Sequence, residues 1–338
     1  MRFVIAGAGA IGGYIGARLA RAGADVVLFA RGAHLQAMRD RGLRIEEGED
    51  SFEVRPQVTA SLDTIGQADV VVLGVKAHGL TDLAPRLRPL FGPDTVALST
   101  QNGIPWWYFQ QHGGGLEGTR LERVDPGGVI AAAIEPRRVI GSIAYFATEI
   151  ASPGVIRHIE GHRLSLGEPD NSKSDRAARI AQALIAAGLR CPVTTKIRQE
   201  IWVKLLGNVA FNPISALTHG TLVELAQHPE VSQLVRDVMR ETSEVASRLG
   251  IEIPISIDQR IAGAAKVGAH KTSMLQDVEA GRPMELDAVV GAVIELGERL
   301  GIAMPATRAV YACATLVNEH IVGVPRVPKV PDVPGVLS

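Results

Sequence analysis

Cysteine is scarce in this 338-residue chain: Cys191 and Cys313 are the only two, and no spacing pairs them. A disulfide framework is thereby excluded, and a reducing, cytoplasmic compartment is expected. Charge of one sign is not in excess either, with 35 basic against 36 acidic side chains. Without surplus positive charge, neither nucleic acid nor an anionic membrane surface is an expected partner. No run approaches the roughly 20 continuous apolar residues that cross a bilayer. Arg2 followed by Phe3–Ala6 has the look of a secretory leader, but that apolar stretch is too short for a leader's core. No internal repeat is present. The remainder, 46% hydrophobic and 21% charged, is the composition of a globular protein, and its length predicts two domains.

From Met1 to about Gly167, short apolar runs alternate with helical segments, the pattern of βαβ units on a mostly parallel, doubly wound sheet. Phe3–Ala6, Val26–Phe29, Val70–Leu73 and Thr95–Leu98 read as buried strands. Residues 104–128, with Pro105, the aromatic residues 106–109 and Gly113-Gly114-Gly115, read as an inserted excursion, either a lid or a long surface loop. The polar run from Asn171 to Asp175 marks a domain junction. Beyond it, apolar residues three and four apart predict helices over Ala177–Ala187, Glu200–Leu217, Val231–Leu249 and Leu286–Leu300. The expected organisation is an α/β, Rossmann-like domain over 1–170, an all-α domain over 171–323 and a proline-rich tail over 324–338.

Gly7-Ala8-Gly9-Ala10-Ile11-Gly12 follows the first strand and opens a helix. In that context Gly7 permits a tight turn, Gly9 lets backbone approach a pyrophosphate and Gly12 allows close helix–strand packing. The helix N-terminus attracts the phosphate charge. An NAD site would place Asp or Glu at the end of the second strand, to bond the ribose hydroxyls. Here that strand ends Phe29-Ala30-Arg31, and Asp25 lies at its opposite end. A guanidinium at position 31 suits the 2′-phosphate of NADP. Lys76, after the third predicted strand, is a second candidate cation for the same phosphate.

Within Gln199–Pro213, Lys204, Asn208 and Asn212 recur every four residues. That spacing puts them on one helix face, drifting about 40° per step over roughly 12 Å of axis. Ile201, Trp202, Leu205, Leu206, Val209 and Phe211 cover most of the rest of the helix. The polar stripe therefore faces either a thin strip of solvent or an internal cleft whose ligand satisfies it. Asn102, in Gln101-Asn102-Gly103, falls at the carboxyl edge of the sheet, where such folds bind ligands. Thr272–Asp277 leads to Met284-Glu285-Leu286, where Glu285 also suits the first turn of a helix.

Together, GAGAIG, Arg31, the VKA ending at Ala77, the QNG around Asn102, IRQEIWVKLLGNVAFNP and SMLQD followed by ME resemble the ketopantoate reductase family, from Met1 to about Thr307. The resemblance implies NADPH-dependent reduction of 2-dehydropantoate, a small 2-oxo acid. It implies that Lys204 is the general acid, that Asn208, Asn212 and Ser273 bind substrate, and that Asn102 touches both substrate and cofactor. It puts Glu285 near the nicotinamide, Arg31 and Lys76 beside the 2′-phosphate, and Ala147 along the cofactor. The excursion is longer than in the shorter family members, and the loop after Asn212 is shorter, which leaves His219 a candidate substrate contact.

A metal mechanism is disfavoured: His158 and His162 read as surface residues with no carboxylate or cysteine cluster beside them. Neither cysteine neighbours an activating histidine. Two alternatives stand beside the reductase reading: an NADP-dependent enzyme for another 2-oxo or 3-hydroxy acid, and a non-catalytic NADPH sensor. Retention of Lys204 with both asparagines argues against the sensor. The apolar helices suit a homodimer interface. Burial of Lys204 would lower its pKa while Glu285 would raise it, and sequence leaves the balance open.

Overall fold

Buried on both faces, the four predicted runs become central strands of one sheet. The structure, a computed structural model, describes residues 1–323, so the expected tail at 324–338 lies outside the described residues. The strands are β1 (Arg2–Ala6), β2 (Asp25–Phe29), β3 (Leu43–Glu46), β4 (Phe52–Val54), β5 (Gln57–Thr59), β6 (Ala68–Leu73), β7 (Phe91–Ser99), β8 (Val139–Ser152) and β9 (Val155–Gly167). They form a nine-stranded sheet in the order β4-β3-β9-β8-β7-β6-β1-β2-β5. The pairs β1/β2, β2/β5, β1/β6, β6/β7 and β7/β8 are all parallel, the arrangement of a doubly wound fold. The chain leaves β1 in both directions, so a crevice opens where β1 and β6 end. Gly7, Arg31, Lys76 and Asn102 all follow strands at this edge.

Strands β3 to β5, strand β8 and its antiparallel pairing with β9 were not anticipated, although the segment of His158 and His162 reads as strand and turn. The first three are only three or four residues long, and the middle of β9, from Arg157 to His162, is mostly polar and largely exposed apart from His158. Neither shows the apolar run or strict alternation that identifies a strand in sequence.

On the α/β side lie α1 (Ala10–Arg21), α2 (Gly32–Arg41), α3 (Ala77–Leu83), α4 (Val129–Ala133) and α5 (Asp175–Ala186). The helical unit comprises α6 (Ile197–Thr218), α7 (Leu222–Gln227), α8 (Pro229–Arg248), α9 (Ile257–Val267), α10 (Ser273–Glu279), α11 (Ala292–Arg299) and α12 (Pro305–Val322). Helix α5 differs from the expected organisation. Its Ala177, Ile180 and Leu184 pack with Phe3, Ile5 and Leu28 on one face of the sheet, although all lie beyond position 171. Among the described residues, no helix is long and apolar enough to cross a membrane.

The other face of the sheet is built from the alternate residues Val4, Ala6, Val27 and Phe29, as the two-residue strand period requires. Its core runs without a break into the helical unit through Trp106, Trp107, Tyr108 and Phe109. This corrects the reading of the excursion as a lid or surface loop. All four aromatic side chains are buried, while Gly113–Gly115 are solvent-facing. The physical reason is area: aromatic side chains carry the largest apolar surfaces, and the junction of sheet and helices offers the space to bury them. Trp202 of α6 donates its indole N–H to the Tyr108 hydroxyl at 2.7 Å, fixing the segment to that helix.

Candidate functional site

The glycine turn is held by close backbone contacts. Gly7 has φ of +109°, and a Cβ there would lie 2.5 Å from Val75 Cγ1. At Gly12 a Cβ would come within 2.2 Å of the Gly7 carbonyl oxygen, so helix and strand approach as closely as the motif implies. Gly9 meets nothing nearer than 4.0 Å, which leaves open space before the N-terminus of α1 beside Ala8, Ala10 and Ile11. The Ala8 amide donates to the Phe29 carbonyl at 2.8 Å, tying the turn to the end of β2. Just beyond that end, Arg31 is exposed, with no side-chain hydrogen bond or ion pair among the described residues. Asp25, at the far end of β2, faces Arg2 at 3.6 Å. The open glycine cradle at the start of α1 fits the pyrophosphate of a dinucleotide.

Lys76 does not stand free beside Arg31. Its ammonium sits 2.6 Å from the Asp277 carboxylate and donates to the Pro283 carbonyl at 2.9 Å. Lys76 thus bridges to the helical unit, where the buried Asp277 also faces Arg282 at 3.3 Å.

Asn102, Lys204 and Glu285 come from three distant parts of the chain and meet in one network. The Lys204 ammonium donates to Asn102 Oδ1 and to the Ala144 carbonyl, each at 2.7 Å. Asn102 in turn donates its Nδ2 to Glu285 Oε2 at 3.2 Å, and Glu285 Oε1 accepts the Ala77 amide at 2.9 Å. The amide of Asn102 is thus oriented at both ends. Glu285 caps the start of α3 rather than its own helix. An ammonium has three donors, and two are used here. Burial pushes the Lys204 pKa down from 10.5 to about 8, outweighing the upward pull of Glu285. Desolvation therefore wins the balance left open by sequence.

Lys204 and Asn208 line an open cleft together with Asn102, Ser142 and Ala144. Asn212 is buried one turn further on, and its Nδ2 lies 3.4 Å from Ser273 Oγ at the start of α10. The stripe therefore faces inward, as a cleft-lining helix requires. Ala147 is half-buried on β8, where the pairing with β9 shifts register. His219 is exposed, adopts a left-handed φ of 57° and ends α6 outside the cleft, so the structure gives no support to a substrate contact there. His162 is exposed, but His158 is not the surface residue expected. It stacks on Tyr14 at 5.0 Å and its Nδ1 lies 3.3 Å from Glu47 Oε1.

Several residues at the site had no signal in the sequence. Pro105 and Trp107 line the cleft from the excursion, and Ser142 and Ala144 do so from the unanticipated β8. The Arg260 guanidinium of α9 lies against Gly207, one turn from Lys204; a Cβ there would be 2.2 Å from it. Only the tertiary structure, in which α9 packs on α7 and α8 and its Arg260 reaches α6, reveals it.

Two family profiles match the chain: ketopantoate reductase PanE/ApbA over residues 3–107, and ketopantoate reductase PanE/ApbA C terminal over 196–318. The chain is 51% identical over 314 residues to a 2-dehydropantoate 2-reductase of Mesorhizobium japonicum, covering 92% of this chain and 96% of that one. It is similar to the crystal structure of an inferred ketopantoate reductase from Ralstonia solanacearum MolK2, with a TM-score of 0.90 and 40% identity over 94% of this chain and 98% of that one. A D-mandelate dehydrogenase, solved with NADH and anilino(oxo)acetate, matches with a TM-score of 0.82 over 95% of this chain and all of its own (100%). At 21% identity that likeness is one of fold alone.

Proposed function

The chain belongs to the ketopantoate reductase PanE/ApbA family, and from that premise we propose that it reduces 2-dehydropantoate to pantoate with NADPH, Lys204 supplying the proton. The observation that carries this reading is the Lys204 network. Two donors of a buried ammonium are held by Asn102 and Ala144, and the third has no acceptor among the described residues. An oxygen-rich substrate in the cleft supplies one. Asn208, Asn212 and Ser273 offer further polar groups along the same face.

When bound, the reduced nicotinamide supplies a hydride to the carbonyl carbon. Lys204 stabilises the negative charge that then develops on the carbonyl oxygen and delivers a proton to it. A pKa near 8 makes it a stronger acid than an ordinary lysine, yet leaves it protonated at neutral pH. Asn102 positions the ammonium, and Glu285 orients Asn102. The glycine turn from Gly7 to Gly12 and the N-terminus of α1 would hold the pyrophosphate, Arg31 the 2′-phosphate, and Ala147 would lie along the cofactor. The two free thiols support a reducing, cytoplasmic setting, and a homodimer is the assembly this reading favours.

The direct test is to mix the protein with NADPH and ketopantoate and follow loss of the reduced-nicotinamide absorbance. Turnover supports the reading; tight NADPH binding without turnover across a panel of 2-oxo acids overturns it. The acid form of Lys204 predominates below its pKa. A profile of kcat/KM against pH should therefore be flat below about 8 and fall towards tenfold per unit above it. A profile with no such limb in that region contradicts the role of Lys204.

The cofactor choice rests on Arg31. A charge-assisted bond to phosphate contributes about 1.5–3 kcal/mol, so Arg31→Ala should raise KM for NADPH roughly 10- to 100-fold while leaving NADH nearly unchanged. Equal effects on both cofactors would remove the 2′-phosphate from this site.

A further inference from the structure

The excursion supplies part of the apolar lining of the cleft. Pro105 and Trp107 line it together with Ile143, Ile201 and Leu205, while Asn102, Lys204 and Asn208 supply polar groups. The carboxylate and carbonyl of a 2-oxo acid need polar partners, so the substituent on the carbonyl carbon is the part left for the apolar wall. The size of that wall then limits the size of the substituent.

Trp107 is seated by shape. Its ring edge lies against Gly141 at the start of β8, where a Cβ would come 2.6 Å from Cζ2 and Cη2. Its indole N–H has no hydrogen-bond partner among the described residues, so a smaller apolar residue changes volume without stranding a partner. The chain around it is held on both sides. Before it, the Ile104 amide donates to the Ala288 carbonyl at 2.8 Å. After it, the buried Arg198 guanidinium donates to the carbonyls of Tyr108 at 2.8 Å and Gln110 at 2.9 Å, and also to that of Pro169. Arg198 lies about 1.7 turns before Lys204 on the same helix, so wall and proton donor share one rigid support.

Resting on the reductase reading, we infer that Trp107 sets the upper size of the substituent next to the substrate's carbonyl, with Arg198 the positioning residue that holds it there. Branched aliphatic substituents pass this limit and planar aromatic ones do not.

The test compares 3,3-dimethyl-2-oxobutanoate with benzoylformate in the same protein sample, so that differences in folded fraction cancel. Wild type should prefer the aliphatic acid in kcat/KM. Trp107→Leu should shift the ratio at least tenfold towards the aromatic acid, the scale on which apolar pockets discriminate. Arg198→Gln should shift it the same way without touching substrate, and Arg198→Lys should fall between. A ratio unchanged within threefold in both Trp107→Leu and Arg198→Gln overturns the inference. Calorimetric binding of the two acids gives the ratio independently of turnover. Acids that bind but are not reduced sink the reductase reading and leave the size limit measurable. If the wild type binds neither acid, both fall.

Discussion

Lys204→Ala should lower kcat at least 10²-fold, a loss of about 2.7 kcal/mol of transition-state stabilisation. The expected size follows from where the ammonium sits. It is half-buried at the cleft, held on two sides by Asn102 and Ala144, with its remaining donor aimed by that geometry and not free to wander. Because the interaction strengthens as charge develops on the carbonyl oxygen, kcat and kcat/KM should fall together, whereas lost ground-state binding would raise KM alone. Affinity for NADPH should stay close to wild type, because the glycine turn and Arg31 lie elsewhere. A near-normal kcat would remove Lys204 from the chemistry.

Gly103→Ala should damage both stability and turnover. Gly103 has φ of +87°, and a Cβ there would lie 2.1 Å from the Ala288 carbonyl oxygen and 2.4 Å from its carbon. Neither contact can relax by moving a side chain, since both partners are backbone. Ala288 belongs to the π-helical turn Asp287–Gly291, and its carbonyl accepts the Ile104 amide at 2.8 Å. Left-handed strain and overpacking together cost about 2–5 kcal/mol, visible as a lower Tm. The turn and the loop must part, and Asn102 moves with them. Displacing Asn102 by about 1 Å loosens its grip on Lys204 and Glu285 and should cost on the order of 10² in kcat. Wild-type activity and an unchanged Tm would mean that the contact between the two segments is not needed.

Much of the site is legible locally. The glycine turn from Gly7 to Gly12 is recognisable because tight turns and close helix–strand packing leave glycine where no side chain fits. The Lys204, Asn208 and Asn212 stripe is recognisable because the helical period alone puts residues four apart on one face. Central strands announce themselves as apolar runs, since both faces are covered. Where the chain is polar on one face or very short, as in β9 and β3 to β5, that signal disappears.

What each residue meets is another matter. Nothing local to Lys76 announces that it pairs with Asp277, two hundred residues away. The excursion looked like a surface loop because its backbone has no period, yet its aromatic side chains fill the join between sheet and helices. Glu285 had an adequate local explanation as a helix-start acid, and its bonds to Ala77 and Asn102 are entirely long-range. The sequence by itself determined the Rossmann-like sheet, the helical second unit and the residue types of the site, because those follow from periodicity and from the conformational limits of single residues. Tertiary structure alone decided which charges are paired, which aromatic wall faces the cleft and how far burial lowers the Lys204 pKa, because pairing and desolvation depend on what distant segments bring within a few ångströms.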